Sequence, residues 1–143
     1  MSVYDPFELQ RFVDAQDAGG AYASAVSELR DARKLSHWMW FVLPQIAGLG
    51  RSPTALRFAI SGMPEAQAFR AHPLLGPRLV ECARVLANLP GTDAVTILGP
   101  VDAQKLRSSM TLFARTVPPG RVSQEVLDRY FGGESDPATT SRL

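Results

Sequence analysis

The 143-residue sequence contains little cysteine and little histidine, with one and two residues respectively. A single cysteine, Cys82, excludes an internal disulfide framework. Two histidines far apart in sequence do not supply the four nitrogen or sulfur ligands of a structural zinc site, so we expect no metal site. Cys82 lies in an apolar helical pattern, which predicts an inert buried thiol.

The sequence also lacks an excess of charge of either sign, because its 15 lysines and arginines are balanced by 14 aspartates and glutamates. The net charge of +1 gives no strong field, so the composition does not indicate a duplex nucleic-acid partner. No apolar run reaches the length of about 20 residues that crosses a bilayer, and no signal peptide is recognisable. We therefore expect no membrane partner and a cytoplasmic location.

The familiar catalytic and nucleotide-binding motifs are absent from the sequence. It contains no Walker A loop, no Rossmann glycine fingerprint, no His-Glu-x-x-His zinc motif and no nucleophile elbow. The sequence therefore identifies no cofactor and assigns no reaction.

Helical patterns fill the chain between glycine and proline corners, and no strand alternation lasts more than a few residues. The clearest apolar stripe comprises Leu75, Leu79, Cys82, Ala83 and Leu86. The pattern predicts an all-α fold, a compact single-domain array of about seven or eight short helices without a sheet. The domain is expected to span 5–135, with 136–143 as a mostly exposed C-terminal tail.

Two helix starts carry residues that are typical N-caps. Asp5 precedes Pro6, which suits the first helical position. Asp102 is predicted to cap a long helix that runs to about Thr116 and ends at Pro118-Pro119. His72-Pro73 is predicted to form a corner or cap between two helices.

The most distinctive segment runs from Ser36 to Gln45 and contains both tryptophans of the chain. Its residue types also suit a strand, but its helical neighbours favour a short helix capped by Ser36 and closed before Pro44. Trp38 and Trp40 would point about 200° apart on a helix. One is therefore expected in the core, and the other as a stacking wall or an interface anchor.

His37, beside these tryptophans, has two interpretations. It is either a hydrogen-bonded structural residue near a helix N terminus or the acid/base group of a pocket, because histidine exchanges protons near neutral pH. We name it as the candidate catalytic residue.

Two further segments could bind an anion. Gly48-Leu49-Gly50 leads into a helix start with Arg51 and Ser52 beside it, which is either an anion-binding turn or an ordinary loop capped by Ser52. Lys105 and Ser109 share a helix face with Asp102, within about 60°. They form either an Asp102–Lys105 pair with a back-bonded Ser109, or a polar patch at the mouth of a pocket.

Four motifs add specificity to this pattern. They are Ser-His-Trp-Met-Trp-Phe-x-x-Pro-Gln at 36–45, Gly-Leu-Gly-x-Ser at 48–52, His-Pro-x-Leu-Gly-x-Arg-Leu at 72–79 and Lys-Leu-Arg-Ser-Ser-Met-Thr-Leu-Phe at 105–113. With these motifs, the chain from about Asp5 to Asp136 resembles the bacterial domain of unknown function (DUF) family 1810. The resemblance implies a single-domain, mainly helical fold and no established activity, cofactor or substrate. Some members are labelled calpastatin, a disordered inhibitor, and this label does not suit a folded domain.

The signature residues of that family favour a shared pocket, because many are polar or aromatic and do not simply form a core. Those that match here include Arg11, Gln16, Lys34, His37, Trp38, Trp40, Gln45, Ser52, His72, Lys105, Ser109 and Thr111. The family often has tyrosine where this chain has Phe58, so no hydroxyl role is expected at that position.

Two hypotheses of function follow. The first is a pocket for a small anionic or planar, nucleotide-like ligand, with His37 as acid/base. Its ligand-binding residues would be Trp38, Trp40, Gln45, Arg51, Ser52, Lys105 and Ser109. The alternative is a non-catalytic module for protein interaction or homo-oligomerisation that uses segment 36–45. The expected oligomeric state is a monomer or a weak homodimer.

Overall fold

The computed structural model describes residues 4–116 and 120–143, so the predicted helix end at Pro118-Pro119 lies outside the described residues. The described residues are mainly helical, which confirms the all-α class. The helices are α1 (Gln10–Asp17), α2 (Ala21–Arg30), α3 (Met39–Val42), α4 (Pro53–Arg57), α5 (Met63–Ala71), α6 (Leu75–Asn88), α7 (Ala94–Leu98), α8 (Pro100–Ala114), α9 (Arg121–Phe131) and α10 (Pro137–Thr140).

The core forms around α8, which packs against α5, α7, α9 and α10, while α6 packs against α2, α5 and α9. Aromatic rings link these layers. Phe69 contacts Phe12 with ring centroids 5.0 Å apart, and it contacts Phe113 at 5.3 Å. Within the described residues, no helix is both long enough and apolar enough to span a bilayer.

The apolar stripe of α6 is buried along its whole length, as its spacing predicts. Cys82 belongs to this buried face and is a free cysteine. Burial raises the pKa of the Cys82 thiol to about 12. Because the thiolate is the reactive form, this thiol is unreactive at neutral pH.

Neither predicted N-cap has the position expected from the sequence. α1 begins at Gln10 because Glu8 has φ 52°, in the left-handed region, which interrupts a helix from Pro6. Asp5 still stabilises the helix start, since its carboxylate accepts hydrogen bonds from the N–H groups of Leu9 (2.8 Å) and Gln10 (3.0 Å). α8 begins at Pro100 after Gly99, so Asp102 lies inside the first turn.

The aromatic segment does contain a short helix, α3, which ends before Pro44 as predicted. The predicted cap by Ser36 is wrong. Ser36 lies three residues before α3 begins, and its hydroxyl donates a hydrogen bond to the Glu28 carboxylate at 2.5 Å. After α3, Ile46 forms an isolated parallel bridge with Ile60. This bridge lies just beyond segment 36–45, so the strand-forming residue types within the segment form no strand.

The segment expected as a tail is exposed at most positions, but it has two buried anchors, Asp136 and Thr139. Helix α10 packs on α8, and the guanidinium of Arg142 donates to the carbonyl of Gly48 at 3.4 Å. The helical packing therefore extends beyond 135 and includes the last helix.

Candidate functional site

A cleft of about 460 Å³ lies between α8, the start of α10, and the segment 40–49, which begins in α3. Its size falls within the range of small-molecule sites. Apolar side chains and convergent polar groups share its wall. The lining residues are Trp40, Gln45, Leu49, Val101, Gln104, Lys105, Ser108, Asp136 and Ala138.

Lys105 extends from α8 across the indole of Trp40. Its Nζ lies 3.8 Å from the centroid of the Trp40 ring and 3.2 Å from Oδ1 of Asp102, one helical turn earlier. An ammonium over an aromatic face is attracted by the ring quadrupole. The predicted Asp102–Lys105 pair is therefore present, and it holds a cation at the cleft wall.

Asp102 is shared between two lysines. Nζ of Lys34 lies 2.8 Å from Oδ2 of Asp102 and also donates to the carbonyl of Ser36 at 2.7 Å. Burial raises the pKa of Asp102, but the two ammonium groups outweigh burial and lower it below its ordinary value. The carboxylate is thus ionised at neutral pH, and two ammonium groups share one negative charge.

Gln45 is only 8% exposed and lines the cleft. Its backbone carbonyl accepts a hydrogen bond from the N–H of Ile60, but its carboxamide has no hydrogen-bond partner among the described residues. The amide atoms are not buried without a partner, since Ser109 Oγ alone has that status among the described side chains. The Gln45 carboxamide therefore keeps its donors and acceptor for hydrogen bonds at the cleft wall.

Asp136 also lines the cleft and is 4% exposed. Its Oδ2 accepts hydrogen bonds from Ser108 Oγ (3.0 Å) and Thr139 Oγ1 (2.6 Å), and Oδ1 accepts from Gln104 Nε2 at 3.3 Å. No lysine or arginine of residues 4–116 and 120–143 forms an ion pair with it. Asp136 was not among the predicted site residues, although the Asp-Pro pair before a helix is a recognisable start signal.

Glu28 organises the segment that precedes the cleft residues. Its carboxylate accepts hydrogen bonds from the N–H groups of Leu35 (2.7 Å) and Ser36 (2.9 Å), and from the indole N–H of Trp38 (3.0 Å). Desolvation raises the pKa of Glu28, but hydrogen bonds, first those from Ser36, together lower it to about 2. The ionised carboxylate thus holds 34–38 against α2, with Lys34 directed toward Asp102.

Three of the predicted site residues, Trp40, Gln45 and Lys105, line the same cleft. The two tryptophans divide as their spacing predicts, because Trp38 is in the core and Trp40 is partly exposed. Trp38 therefore forms no part of the cleft wall, and its indole N–H is already bonded to Glu28.

The other predicted site residues are absent from the described lining of this cleft. His37 is exposed in the loop before α3, and Arg51 is exposed in the loop before α4. Ser52 accepts a hydrogen bond from the N–H of Ala55 at 3.1 Å and caps α4, which is the ordinary-loop alternative. Ser109 is fully buried and its hydroxyl has no hydrogen-bond partner among the described residues, so the alternative of a back-bonded Ser109 is wrong.

Several signature residues hold the fold together. Arg11 pairs with Glu65 at 2.8 Å and donates to the carbonyl of Ala59. Gln16 donates from its side chain to the carbonyl of Phe41 at 2.8 Å and connects α1 to α3. Nδ1 of His72 accepts from backbone N–H groups at the start of α6, which confirms its predicted capping role. A polar signature residue is therefore not by itself a sign of a pocket.

Segment 36–45 offers little apolar surface to a partner. Trp38, Met39, Val42 and Leu43 are buried, and Trp40 and Phe41 are partly buried. An interface anchor needs its large apolar side chains exposed in the free protein. The burial pattern therefore disfavours the interaction-module hypothesis.

Across the part of the chain that the structure describes, no three His, Cys, Asp or Glu side chains gather in a way that could hold a metal ion. The side chains of the cleft supply an ammonium, an indole face, carboxamides and a carboxylate.

Comparison with known proteins adds a family and a close structural relative. The sequence model of a family described as "Protein of unknown function (DUF1810)" matches residues 6–143. The crystal structure of the conserved hypothetical protein Rv1873 from Mycobacterium tuberculosis is similar, with 50% sequence identity and a TM-score of 0.93. The similarity covers 97% of this chain and 98% of that chain. The comparison with curated proteins gives no match.

Proposed function

This chain belongs to the DUF1810 family of proteins of unknown function, and we propose that it binds a small anionic ligand with a planar, nucleotide-like body in the cleft around Trp40. The observation that carries the proposal is the position of the Lys105 ammonium. It lies over the Trp40 ring, in the cleft that the unpaired carboxamide of Gln45 also lines. A cation, an aromatic face and a free amide together match the parts of such a ligand.

The charge around Asp102 supports an anionic ligand. Lys34 approaches Asp102 at 2.8 Å and Lys105 approaches it at 3.2 Å, so Lys105 makes the longer of the two contacts. An ammonium has three donors, and one contact to Asp102 leaves donors for a second anion. Lys34 would keep Asp102 neutralised while Lys105 turns toward a phosphate or carboxylate.

The remaining wall supports a planar body. Trp40 is partly exposed, and Leu49, Val101 and Ala138 add apolar surface beside it. Aromatic and aliphatic walls of this kind bury a flat ring, while a few polar groups fix its orientation. Gln45 would donate and accept hydrogen bonds at the edge of the ring.

The proposal is one of binding and assigns no reaction. The predicted acid/base residue, His37, is exposed in the loop before α3 and is absent from the described cleft lining, whose side chains suffice for recognition. We also propose a cytoplasmic location, supported by the single buried cysteine, and a monomer or weak homodimer, supported by the burial of most of segment 36–45.

The proposal is tested by titrating the protein with nucleoside monophosphates and aromatic carboxylates, followed by calorimetry and tryptophan fluorescence. Lys105→Ala should weaken binding of any such ligand by about tenfold or more, because it removes a charge-assisted hydrogen bond. Arg51→Ala is the matched control, since it removes an exposed positive charge outside the described cleft lining. Equal affinities of wild type and Lys105→Ala, or no binding of any probe at millimolar concentration, would refute the proposal.

A further inference from the structure

We infer that the ligand of this cleft carries a cationic or N–H donor group in addition to its anionic group, and that the carboxylate of Asp136 binds that donor. The inference rests on the proposed function and specifies the chemical class of the ligand. It makes Asp136 the residue that determines specificity, while Lys105 supplies the anion contact.

The first argument is that the carboxylate of Asp136 is buried without a cationic partner among the described residues. Its carboxylate is almost fully buried, and its hydrogen-bond donors are the neutral groups of Ser108, Thr139 and Gln104. A buried carboxylate without a counter-ion is costly. A cationic or N–H group from a ligand would reduce this cost, because Asp136 lines the cleft.

The second argument is the hydrogen-bonding capacity that Asp136 retains. An ionised carboxylate accepts about four hydrogen bonds. Oδ2 of Asp136 already accepts two, from Ser108 and Thr139, whereas Oδ1 accepts one long bond of 3.3 Å from Gln104. Oδ1 therefore has the free acceptor site, and the long bond to Gln104 is easily exchanged for a shorter one.

The third argument is the distribution of charge along α8. Lys105 and Ser108, the residue that binds Asp136, are three residues apart, which is roughly 4.5 Å along the helix axis. The cleft therefore has a positive end, where two lysines share Asp102, and a negative end at Asp136. A ligand with charge of one sign would be attracted to one end and repelled by the other. A ligand with an anionic group and a donor group complements both ends.

Two kinds of molecule have this chemistry. One is a nucleoside monophosphate whose base carries an exocyclic amino group, and the other is an aromatic amino acid. Each has a matched partner that lacks the donor. Adenosine monophosphate pairs with purine riboside monophosphate, whose base has neither the amino group nor a ring N–H, and phenylalanine pairs with 3-phenylpropionate.

The test measures the affinity ratio within each pair for the wild type, Asp136→Asn and Thr139→Val. In at least one pair we expect the wild type to bind the donor-bearing member about tenfold more tightly, as expected for a hydrogen bond to a charged group. Asp136→Asn should abolish or reverse that preference, because its carboxamide can also donate. Thr139→Val removes a donor to the same carboxylate without changing its charge, so it should keep the preference even if binding weakens.

The outcomes separate the two proposals. If ligands bind through Lys105 but neither pair shows a preference, or the preference survives in Asp136→Asn, this inference is refuted and the proposed function stands. If no member of either pair binds, or binding does not depend on Lys105, the proposed function fails and the inference fails with it. Whichever pair shows the preference identifies the source of the donor, a nucleobase or an amino acid.

Discussion

The indole N–H of Trp38 donates to the carboxylate of Glu28 across 3.0 Å and joins the buried tryptophan of the aromatic segment to α2. The same carboxylate holds the backbone N–H groups of Leu35 and Ser36. One side chain therefore fixes both the core tryptophan and the loop that carries Lys34. The geometry of the cleft depends on this contact, because Lys34 neutralises Asp102 from that loop.

Glu28→Gln should lower the free energy of unfolding at pH 7 by about 1 kcal/mol, since a neutral amide accepts these hydrogen bonds less strongly than a carboxylate and the site is partly solvent-screened. The pKa of Glu28 is lowered to about 2 in the folded protein. Its contribution is therefore complete above the ordinary glutamate pKa and is lost as the pH falls from about 4.5 toward 2.

Urea unfolding of the wild type and Glu28→Gln at pH 7, 4 and 3 checks this expectation. The stability difference between them should shrink as the pH falls. Glu125→Gln, at an exposed position on α9, should match the wild type throughout. A difference between wild type and Glu28→Gln that stays constant from pH 7 to pH 3 would contradict the assignment.

Glu65→Ala should destabilise the protein by about 3 kcal/mol, because it leaves the Arg11 guanidinium without its partner in a largely buried ion pair. Glu65 also accepts hydrogen bonds from the N–H and hydroxyl of Ser61, at 2.9 and 2.8 Å. Glu134→Ala is the contrasting variant. Its carboxylate is 80% exposed and lies 3.8 Å from Arg107, so the loss should be below about 0.5 kcal/mol. Thermal unfolding of the two variants side by side tests the ranking, and similar losses would contradict it.

Gly76→Ala should prevent folding or lower the free energy of unfolding by more than about 3 kcal/mol, although alanine has a higher helix propensity than glycine. A Cβ at Gly76 would lie 2.1 Å from the backbone carbonyl oxygen of Arg70, which cannot move aside as a flexible side chain can. Gly62→Ala is the control, because its Cβ would meet only Pro64 at 3.7 Å. Circular dichroism melts would show the contrast, and a stable Gly76→Ala protein would mean that α5 and α6 approach less closely than described.

The sequence was sufficient wherever a local pattern determined the structure. The stripe of α6 predicts its buried face, and the 200° offset of neighbouring tryptophans predicts that one is buried and one is not. Of the residues that the sequence proposed for one pocket, Trp40, Gln45 and Lys105 line the same cleft, and their role in binding stays a prediction.

The remaining parts of the site depend on contacts between distant segments. Lys34 meets Asp102 across 68 residues of sequence, and no local pattern could show that their charges are paired. Ser36 resembles a helix cap, but the carboxylate of Glu28 takes its hydroxyl. Asp136 lies in a polar segment whose sequence suggests an exposed tail. It is buried because α10 packs on α8, a contact that the local sequence does not reveal. For His37, the aromatic residues beside it in sequence suggest a pocket, but its side chain is exposed in the loop before α3.

Ser109→Ala should leave stability unchanged or raise it by up to about 1 kcal/mol, because a buried hydroxyl without a partner carries an uncompensated desolvation cost. The hydroxyl is fully buried on α8 and has no hydrogen-bond partner in residues 4–116 and 120–143, whereas the adjacent Ser108 donates to Asp136. Ser108→Ala should therefore cost about 1 kcal/mol, since it removes a bond to a buried carboxylate. Chemical unfolding of the two single variants gives the comparison. If Ser109→Ala proves the more destabilising of the two, the hydroxyl has a partner in solution and the packing of α8 differs from that described.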